Sequence, residues 1–421
     1  MMTQAFYTGI SGIRTNSAGI DITANNLANI DTVGFRGNGY EFSSLFENML
    51  TTPDSGSSVN SSVGVGSRLQ ASPLMLQKGS PMLSDKSTDL ALFGDGWFGI
   101  EGNGQTMYTR DGNFTFDKND DLVTQDGHYV LGTLGGNISD DNILTKQLSE
   151  VKLQDVSAQQ KLRFSKSLTF PVQPTSKVKF HGNLGIDADI KTMNASVIDP
   201  QSNKNDLRLE FSLAAVQTPP GTQWDVTAKT KSLDGTTVYD TKTGKVSFDD
   251  SGNLLSSTLT SIDNNGAKVA IDLGRKFNGV TAISNIPVSA SSLSDGVIGG
   301  DLQGYDINKN GEVIATFTNG MQSSVGKIAV YHFQNDQGLT RINGSRFEES
   351  NNSGKPLFFK DANGQNIIGS DIANYKLESS NVEMSTGLTD LIVLQRAYDA
   401  NSKSITTADQ MIQKALSMSG K

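Results

Sequence analysis

At 421 residues the chain exceeds the size at which a single core keeps growing, so two or more domains are expected. Only 19% of residues are charged, 36% are hydrophobic and 43 are Gly, a balance that, with abundant Ser, Thr and Asn, favours short strands and turns over large charged helices. A net charge of -9 without any Lys/Arg cluster excludes the electrostatic footprint of non-specific nucleic-acid binding, and the lack of cysteine excludes disulfides, thiolate nucleophiles and cysteine metal sites.

The opening residues, MMTQAFYTGISGIRT, have no basic start and no continuous apolar stretch of about 7 to 15 residues, so no cleaved secretory signal is visible. Phe6, Ile10, Ile13, Ser17, Ile20, Ala24 and Leu27 stand at spacings of 4, 3, 4, 3, 4 and 3, an a/d heptad seam. Each large side chain of that seam contributes roughly 1.5 to 3 kcal/mol if fully buried, while ordering costs about 1 to 2 kcal/mol per residue. Gly9, Gly12 and Gly19 lower the helix propensity further, by about 1 kcal/mol each relative to Ala. The expectation is a terminal helix that is disordered in the free monomer and orders when subunits assemble. The seam runs into ANNLANIDTVGFR, residues 24–36, where Asn25, Asn26 and Asn29 offer amides for hydrogen bonds and Gly34 lets the chain turn.

Residues 51–66, TTPDSGSSVNSSVGVG, have no periodicity and read as an extended or flexible connector. From about residue 72 short alternating segments closed by turn chemistry take over. In MYTRDGNFTFDKNDDLVTQDGHYVLG the Asp111-Gly112 and Asp126-Gly127 pairs predict a β meander. The same hairpin grammar recurs at 116–122 (FDKNDDL), 248–254 (FDDSGNL) and 305–313 (YDINKNGEV). A two-proline stretch at 170–178 and a Ser-rich stretch at 286–299 bracket an insertion. The chain closes on a second seam, Leu391, Leu394, Tyr398, Asn401, Ile405, Ala408, Ile412 and Ala415, spaced 3, 4, 3, 4, 3, 4 and 3. An ordinary amphipathic surface helix explains one such seam; two, at opposite ends of a β-rich chain, favour a helix pair built from both ends. The longest aliphatic run, Leu391-Ile392-Val393-Leu394, is far short of the ~20 residues that cross a bilayer.

Motifs that carry chemistry fail on context. GDGWFG places Gly94, Gly96 and Gly99 as in a dinucleotide fingerprint, yet it runs into IEGNGQTMYTRDGNF, a stretch rich in glycine and turns where the fingerprint requires a helix. Asp306, Asn308, Asn310 and Gly311 match the first half of a calcium loop, but its twelfth position, which needs a bidentate glutamate, is Phe317. The histidines, at 128, 181 and 332, lie far apart, and no G-x-S-x-G elbow precedes a helix. No catalytic residue, metal ligand or cofactor is assigned.

Residues 24–36 resemble the segment A-N-N-[LI]-A-N-x-x-T-x-G-[FY]-[RK] of bacterial flagellar axial proteins, matching at Ala24, Asn25, Asn26, Leu27, Ala28, Asn29, Thr32, Gly34, Phe35 and Arg36. Residues 377–416 resemble that family's returning segment, with Glu378, Ser380, Asn381, Val382, Gln395, Arg396, Tyr398, Ala400, Asn401, Thr407, Asp409 and Met411 in place. TRDGNF resembles the family's β-domain signature R-D-G-x-F. Length and the insertion between about 170 and 298 favour the hook-forming branch over the rod-forming one.

The resemblance implies a mixed fold: a terminal α-helical coiled-coil pair and mainly-β domains in a nested, out-and-back topology. The expected division is an inner helical domain (1–30 with 380–421), a linker region (31–75 with 365–379), a first β domain (76–170 with 298–364) and an inserted outer β domain (171–297). It further implies a non-enzymatic subunit of a helical homopolymer, the curved hook tube, with Phe6, Ile10, Ile13, Ile20, Leu27, Leu391, Leu394, Tyr398, Ile405 and Ile412 building its inner layer. Implied partners are the distal rod protein, the hook cap, the hook-filament junction protein, the hook-length control protein and the flagellar type III export apparatus, with no nucleic acid and no membrane insertion. The implied location is the cell exterior, reached without a cleaved signal. The competing expectations are a distal-rod or hook-like paralogue forming a straight tube and, from another class, an extracellular β adhesin.

Overall fold

The computed structural model describes residues 2–45, 47–49, 62–217, 219 and 221–419. Two long helices, α1 (Met2–Ala28) and α2 (Met384–Ser419), stand at the two ends of a body of short strands. α1 frays into turns where the Asn29 and Ile30 amides bond back to Asn26 and Leu27. Glu383, just ahead of α2, accepts the Ser385 and Thr386 hydroxyls at 2.9 and 3.0 Å, a negative charge where the helix dipole favours one.

The helices pack antiparallel. Gly9 lies against Ile405 and Asn401, Gly12 against Asn401 and Gly19 against Leu394, while Leu27 reaches Gly387, so partners descend α2 as α1 ascends. A Cβ would fall 2.7 Å from Ile405 at Gly9, 2.7 Å from Asn401 at Gly12 and 3.0 Å from Leu394 at Gly19. Small residues set the interaxial distance, so glycines that weaken α1 as an isolated helix let α2 come close. On another side of α1, the hairpin of Glu41–Ser44 and Ser67–Ala71 is tied on by Thr15 Oγ1, which donates to the Ser67 carbonyl at 2.9 Å. Of the predicted connector, residues 51–61 lie outside the described residues, while Ser62–Gly64 pairs with Glu47–Met49.

In the first β unit, strands from before and after the insertion interleave. Trp97–Gly102 pairs with Gln105–Thr109 and Tyr129–Leu134, which in turn pair with Arg346–Glu348 and Gln322–Ile328. Its core is aromatic: Trp97 meets Phe347 at 4.8 Å, Phe98 meets Phe114 at 5.2 Å, and Phe164, Phe170, Phe317 and Tyr331 are buried among them. At roughly 1.5 to 3 kcal/mol for each such side chain, this core stabilises a unit whose individual strands are short.

The second unit is a sandwich. An antiparallel sheet of Lys191–Ile198, Lys204–Leu213, Thr222–Ser232, Val238–Phe248 and Leu254–Ser257 packs on a sheet centred on Lys177–Asn183. Alternation decides the packing: along Lys204–Leu213 the buried residues are Asn205, Leu207, Leu209 and Phe211, and along Thr222–Ser232 they are Trp224, Val226, Ala228 and Thr230. The two-proline and Ser-rich stretches that enter and leave this unit run side by side, Gln173 and Val297 exchanging amide-to-carbonyl bonds at 2.9 Å.

The predicted meander holds for its second half, where Phe114–Phe116, Leu122–Thr124 and Tyr129–Leu134 pair in succession and Gly127, at φ 80°, makes the last turn. Asp111-Gly112 is not a hairpin turn. It is a corner whose Gly112 carbonyl accepts the Leu90 amide at 3.0 Å, because the strands on either side of it pair elsewhere.

The recurring hairpin grammar has one physical basis. Asp117, Asp249 and Asn308 each accept the main-chain amides two and four residues on, at 2.8 to 3.0 Å. The residue three on is left-handed in each, at Asp120, Gly252 and Gly311. Asp199 repeats the pattern while fully buried, adding side-chain bonds from Asn203, Asn205 and Asn265. Burial works to raise its pKa, but those bonds outweigh it and hold the carboxyl below the ordinary carboxylate range. A depressed folded value means the stabilisation is complete above the unfolded value of about 3.9 and is lost as pH falls through the folded one. Asp199→Asn is therefore expected to cost about 1.5 to 3 kcal/mol in urea unfolding at pH 7, with the gap to the parent closing as pH is lowered from about 4 to 2. A gap that stays constant with pH would show that the charge is not what stabilises this loop.

Candidate functional site

Where the helices meet the β unit, side chains from both ends of the chain converge. As α1 ends, Asn26 grips the segment beyond it: its Nδ2 donates to the Asn38 carbonyl at 2.7 Å and its Oδ1 accepts the Asn38 amide at 3.0 Å. Asn29 bonds locally, donating to the Asn25 carbonyl at 2.8 Å and accepting from Thr32 at 3.2 Å. Gly34 is left-handed at φ 65° and donates to the Glu378 carbonyl at 2.8 Å. A Cβ there would lie 2.3 Å from the Asp111 amide nitrogen, so the Arg110-Asp111 backbone of the RDG corner packs directly on it. Phe35 is buried, stacked under the Arg341 guanidinium at 4.7 Å.

Arg36 and Arg110 both converge on Glu378. Arg36 Nη2 lies 2.7 Å from Oε1 and Arg110 Nη1 lies 3.3 Å from Oε2, with all three side chains at most 4% exposed. Further bonds go to main chain: Arg36 donates to the Gln77 carbonyl, Arg110 to the Gly94 carbonyl at 2.8 Å, and Glu378 accepts the Gly79 amide at 3.0 Å. Burial lowers the pKa of Arg36 and pushes that of Arg110 down to about 10, with Glu378 opposing both shifts. Arginine keeps its proton at any working pH, so these shifts register desolvation that the shared carboxylate offsets.

Asn381, three residues beyond Glu378, completes the joint. Its Oδ1 accepts the Gly37 amide at 2.8 Å, and its Nδ2 donates to the Met75 and Gln77 carbonyls at 2.8 and 2.9 Å. Arg341, from the return side of the β unit, donates to Asn38 Oδ1 at 3.0 Å and to the Arg36 carbonyl. Residues near 26–38, 75–79, 110, 341 and 378–381 are thus locked by main-chain bonds and one shared ion pair. Nothing in this set is arranged as nucleophile and base; it fixes the direction in which both helices leave the β unit.

Of the residues singled out from sequence, the joint gathers Asn26, Gly34, Phe35 and Asn381, with Asn29 beside it. Asn25 and Ala28 are on the outer side of α1, and Gln395 and Arg396 are exposed on α2 away from the joint. Phe6, Ile10, Ile13, Ile20 and Leu27 are half-buried on α1; on α2, Leu394 is buried, Leu391, Ile405 and Ile412 are half-buried, and Tyr398 is exposed. Sequence reasoning did not single out Gly9, Gly12 and Gly19 as contacts, although their 3- and 7-residue spacing places them on one helix face. Arg36 and Glu378 stand in the two family segments, but nothing local in either segment signals that they pair. In GDGWFG, Gly94–Gly96 join the strands Leu90–Phe93 and Trp97–Gly102 while Trp97–Gly99 open the second strand, the Gly94 carbonyl serves Arg110, and Asn308 to Gly311 form a hairpin turn.

Three family models match in the expected order along the chain. Residues 6–36 match the flagella basal body rod protein model, residues 91–161 the D1 domain of the flagellar hook protein FlgE/F/G, and residues 374–418 the C-terminal model of the flagellar basal body rod FlgEFG proteins. The chain is 25% identical to the flagellar hook protein FlgE of Borreliella burgdorferi, over 98% of this chain and 99% of that protein. It is also 25% identical to FlgE of Salmonella typhimurium, over 98% and 100%, and 27% identical to FlgE of Brucella suis, over 96% of each. In fold it resembles the flagellar hook protein FlgE2 of Helicobacter pylori, with a TM-score of 0.56 at 16% identity, over 71% of this chain and all of that one. Both chain ends and the first β unit thus match, in order, models of the flagellar rod and hook axial proteins.

Proposed function

We propose that this chain is the structural subunit of the flagellar hook, polymerising into a flexible curved tube that joins rod to filament and transmits torque without catalytic chemistry. The observation that carries this reading is the buried joint, which aims α1 and α2 out of the β unit as a packed pair while Leu388, Ile392 and Val393 stay exposed along α2. An apolar stripe on a helix held in a fixed direction is a surface for neighbouring subunits. Similarity to hook proteins along nearly their whole length supports the same reading.

In this reading the helices form a coiled-coil inner layer, and residues 1–30 with 380–421, 31–75 with 365–379, 76–170 with 298–364, and 171–297 act as inner, linker, first β and outer β domains nested out and back. The subunit leaves the cell through the flagellar type III apparatus without a cleaved signal and meets the distal rod, hook cap, junction and length-control proteins at its boundaries. Deleting residues 382–421 is expected to abolish tube formation by the purified protein while leaving the β units folded, as read by electron microscopy and circular dichroism. Tubes formed by the truncated chain would overturn the assignment of the helices to assembly. Straight, rigid tubes from the full chain would favour the distal-rod reading.

A further inference from the structure

The outer unit carries two surfaces that complement each other and that one copy does not bring together. The first is a cleft. Ala267–Asp272 pairs in parallel with the start of Lys177–Asn183, and Asn278–Thr281 pairs in parallel with its end. Between them the chain steps out into a small hairpin at Gly274–Arg275. That excursion walls a cavity of about 790 Å³ on the solvent face of the sheet, lined by Lys177, Lys179, His181 and Arg275. Asp272 is the one carboxylate in the lining, and Lys177 engages it at 2.8 Å, leaving Lys179 and Arg275 to set the sign of the cleft. Its rim is apolar: Leu293 is 67% exposed and Phe277, at the hairpin tip, 62% exposed.

The second surface lies beyond the other end of the same strand. Residues 186–190, Ile-Asp-Ala-Asp-Ile, are all exposed, with Ile190 68% accessible and the Asp189 carboxylate 86% exposed although 3.7 Å from Lys191 Nζ. Ile286 and Val288 are exposed nearby, Val288 packing beside Gly185. This tip alternates acid with aliphatic; the cleft is basic with an apolar rim. Two different patches on one unit make a heterologous contact, which repeats head to tail and generates rings or open helical arrays.

We infer that, in the assembled tube, the Ile186–Ile190 loop of one copy seats in the Lys179 and Arg275 cleft of a neighbouring copy. Asp187 and Asp189 face the two cations, and the isoleucines cover Leu293 and Phe277. The inference rests on the hook reading for the existence of a tube, and it adds a contact between outer units that the helices do not provide.

The sequence contains no cysteine, so single cysteines report cleanly. Lys179→Cys and Asp187→Cys chains are co-assembled, oxidised and run on a non-reducing gel, since a disulfide forms only when Cα atoms come within about 7 Å. A mixed dimer from co-assembled tubes, absent from the same chains kept unassembled, is the expected result. Lys179→Glu with Arg275→Glu is expected to raise the concentration needed for assembly about tenfold, and Asp187→Lys with Asp189→Lys in the same chain to restore it. Normal tubes without the mixed dimer overturn the contact and leave the hook reading standing. A thermal shift with tripolyphosphate that Lys179→Glu abolishes, again without the dimer, assigns the cleft to an anionic ligand and overturns it too. If the unaltered chain forms no tubes, the hook reading fails first and this contact with it.

Discussion

Replacing Glu378 with alanine is expected to destabilise the protein by about 3 to 5 kcal/mol, the range seen when one member of a buried ion pair is removed. Here the loss leaves two guanidinium groups facing each other with no counter-charge, in a site where all three side chains are at most 4% exposed. It also strands the Gly79 amide, which now donates to the carboxylate at 3.0 Å. Arg36→Ala is expected to cost less, because Arg110 and Glu378 remain paired. Replacing Arg36, Arg110 and Glu378 together with apolar residues of similar volume is expected to recover most of the loss, since a well-packed apolar set avoids the desolvation that the charges require. Urea unfolding measures all three. Amide exchange in residues 75–80 and 376–382 localises the damage. A Glu378→Ala loss below about 1 kcal/mol would mean that the site is hydrated and that the pair does not hold the joint.

Gly34→Ala is the second large effect, expected at about 3 kcal/mol or more. Part of this is the left-handed conformation, which costs a residue with a Cβ about 1 to 2 kcal/mol. The rest is collision: the new methyl would sit 2.3 Å from the Asp111 nitrogen and 2.5 Å from the Arg110 carbonyl carbon, both backbone atoms that no rotamer change can move. Gly104→Ala is the control, because Gly104 is also left-handed, at φ 78°, yet a Cβ there meets nothing within 4 Å. If both variants lose the same stability, the close approach at Gly34 carries no energy. Because Arg110 moves with the displaced backbone, Gly34→Ala is also expected to loosen the Arg110–Glu378 contact and reduce tube formation beyond its effect on melting.

The helices were legible because their apolar spacing is a local property, readable within about 30 residues at each end. Hairpins with an Asp or Asn acceptor and a left-handed residue three positions on were legible for the same reason, as at Asp249 and Gly252. Asp111-Gly112 misled because the same two residues serve a corner as well as a turn; which one forms depends on the Arg346–Glu348 strand returning to pair with Thr109 and Tyr108. No local pattern announces that Arg36 and Arg110 share one carboxylate, since Glu378 lies 342 residues from the first and 268 from the second. Family resemblance marked those letters as a set without saying what joined them. Gly9, Gly12 and Gly19 show locally only their cost to an isolated helix, because their benefit appears once α2 is alongside.

The separation between Arg36 and Glu378 also bears on the order of events during synthesis. At about 5 to 20 residues per second, the ribosome needs roughly 20 to 70 s to make the 342 residues between them. Throughout that interval Arg36 has no carboxylate to meet and stays in water, because burying it alone is prohibitive. The sandwich, whose pairings close within residues 177–294, is free to form meanwhile. The joint therefore closes late, and only on a chain that has been read through to residue 378. A nascent chain that has not reached residue 378 leaves the base of its first helix without the ion pair that fixes its direction.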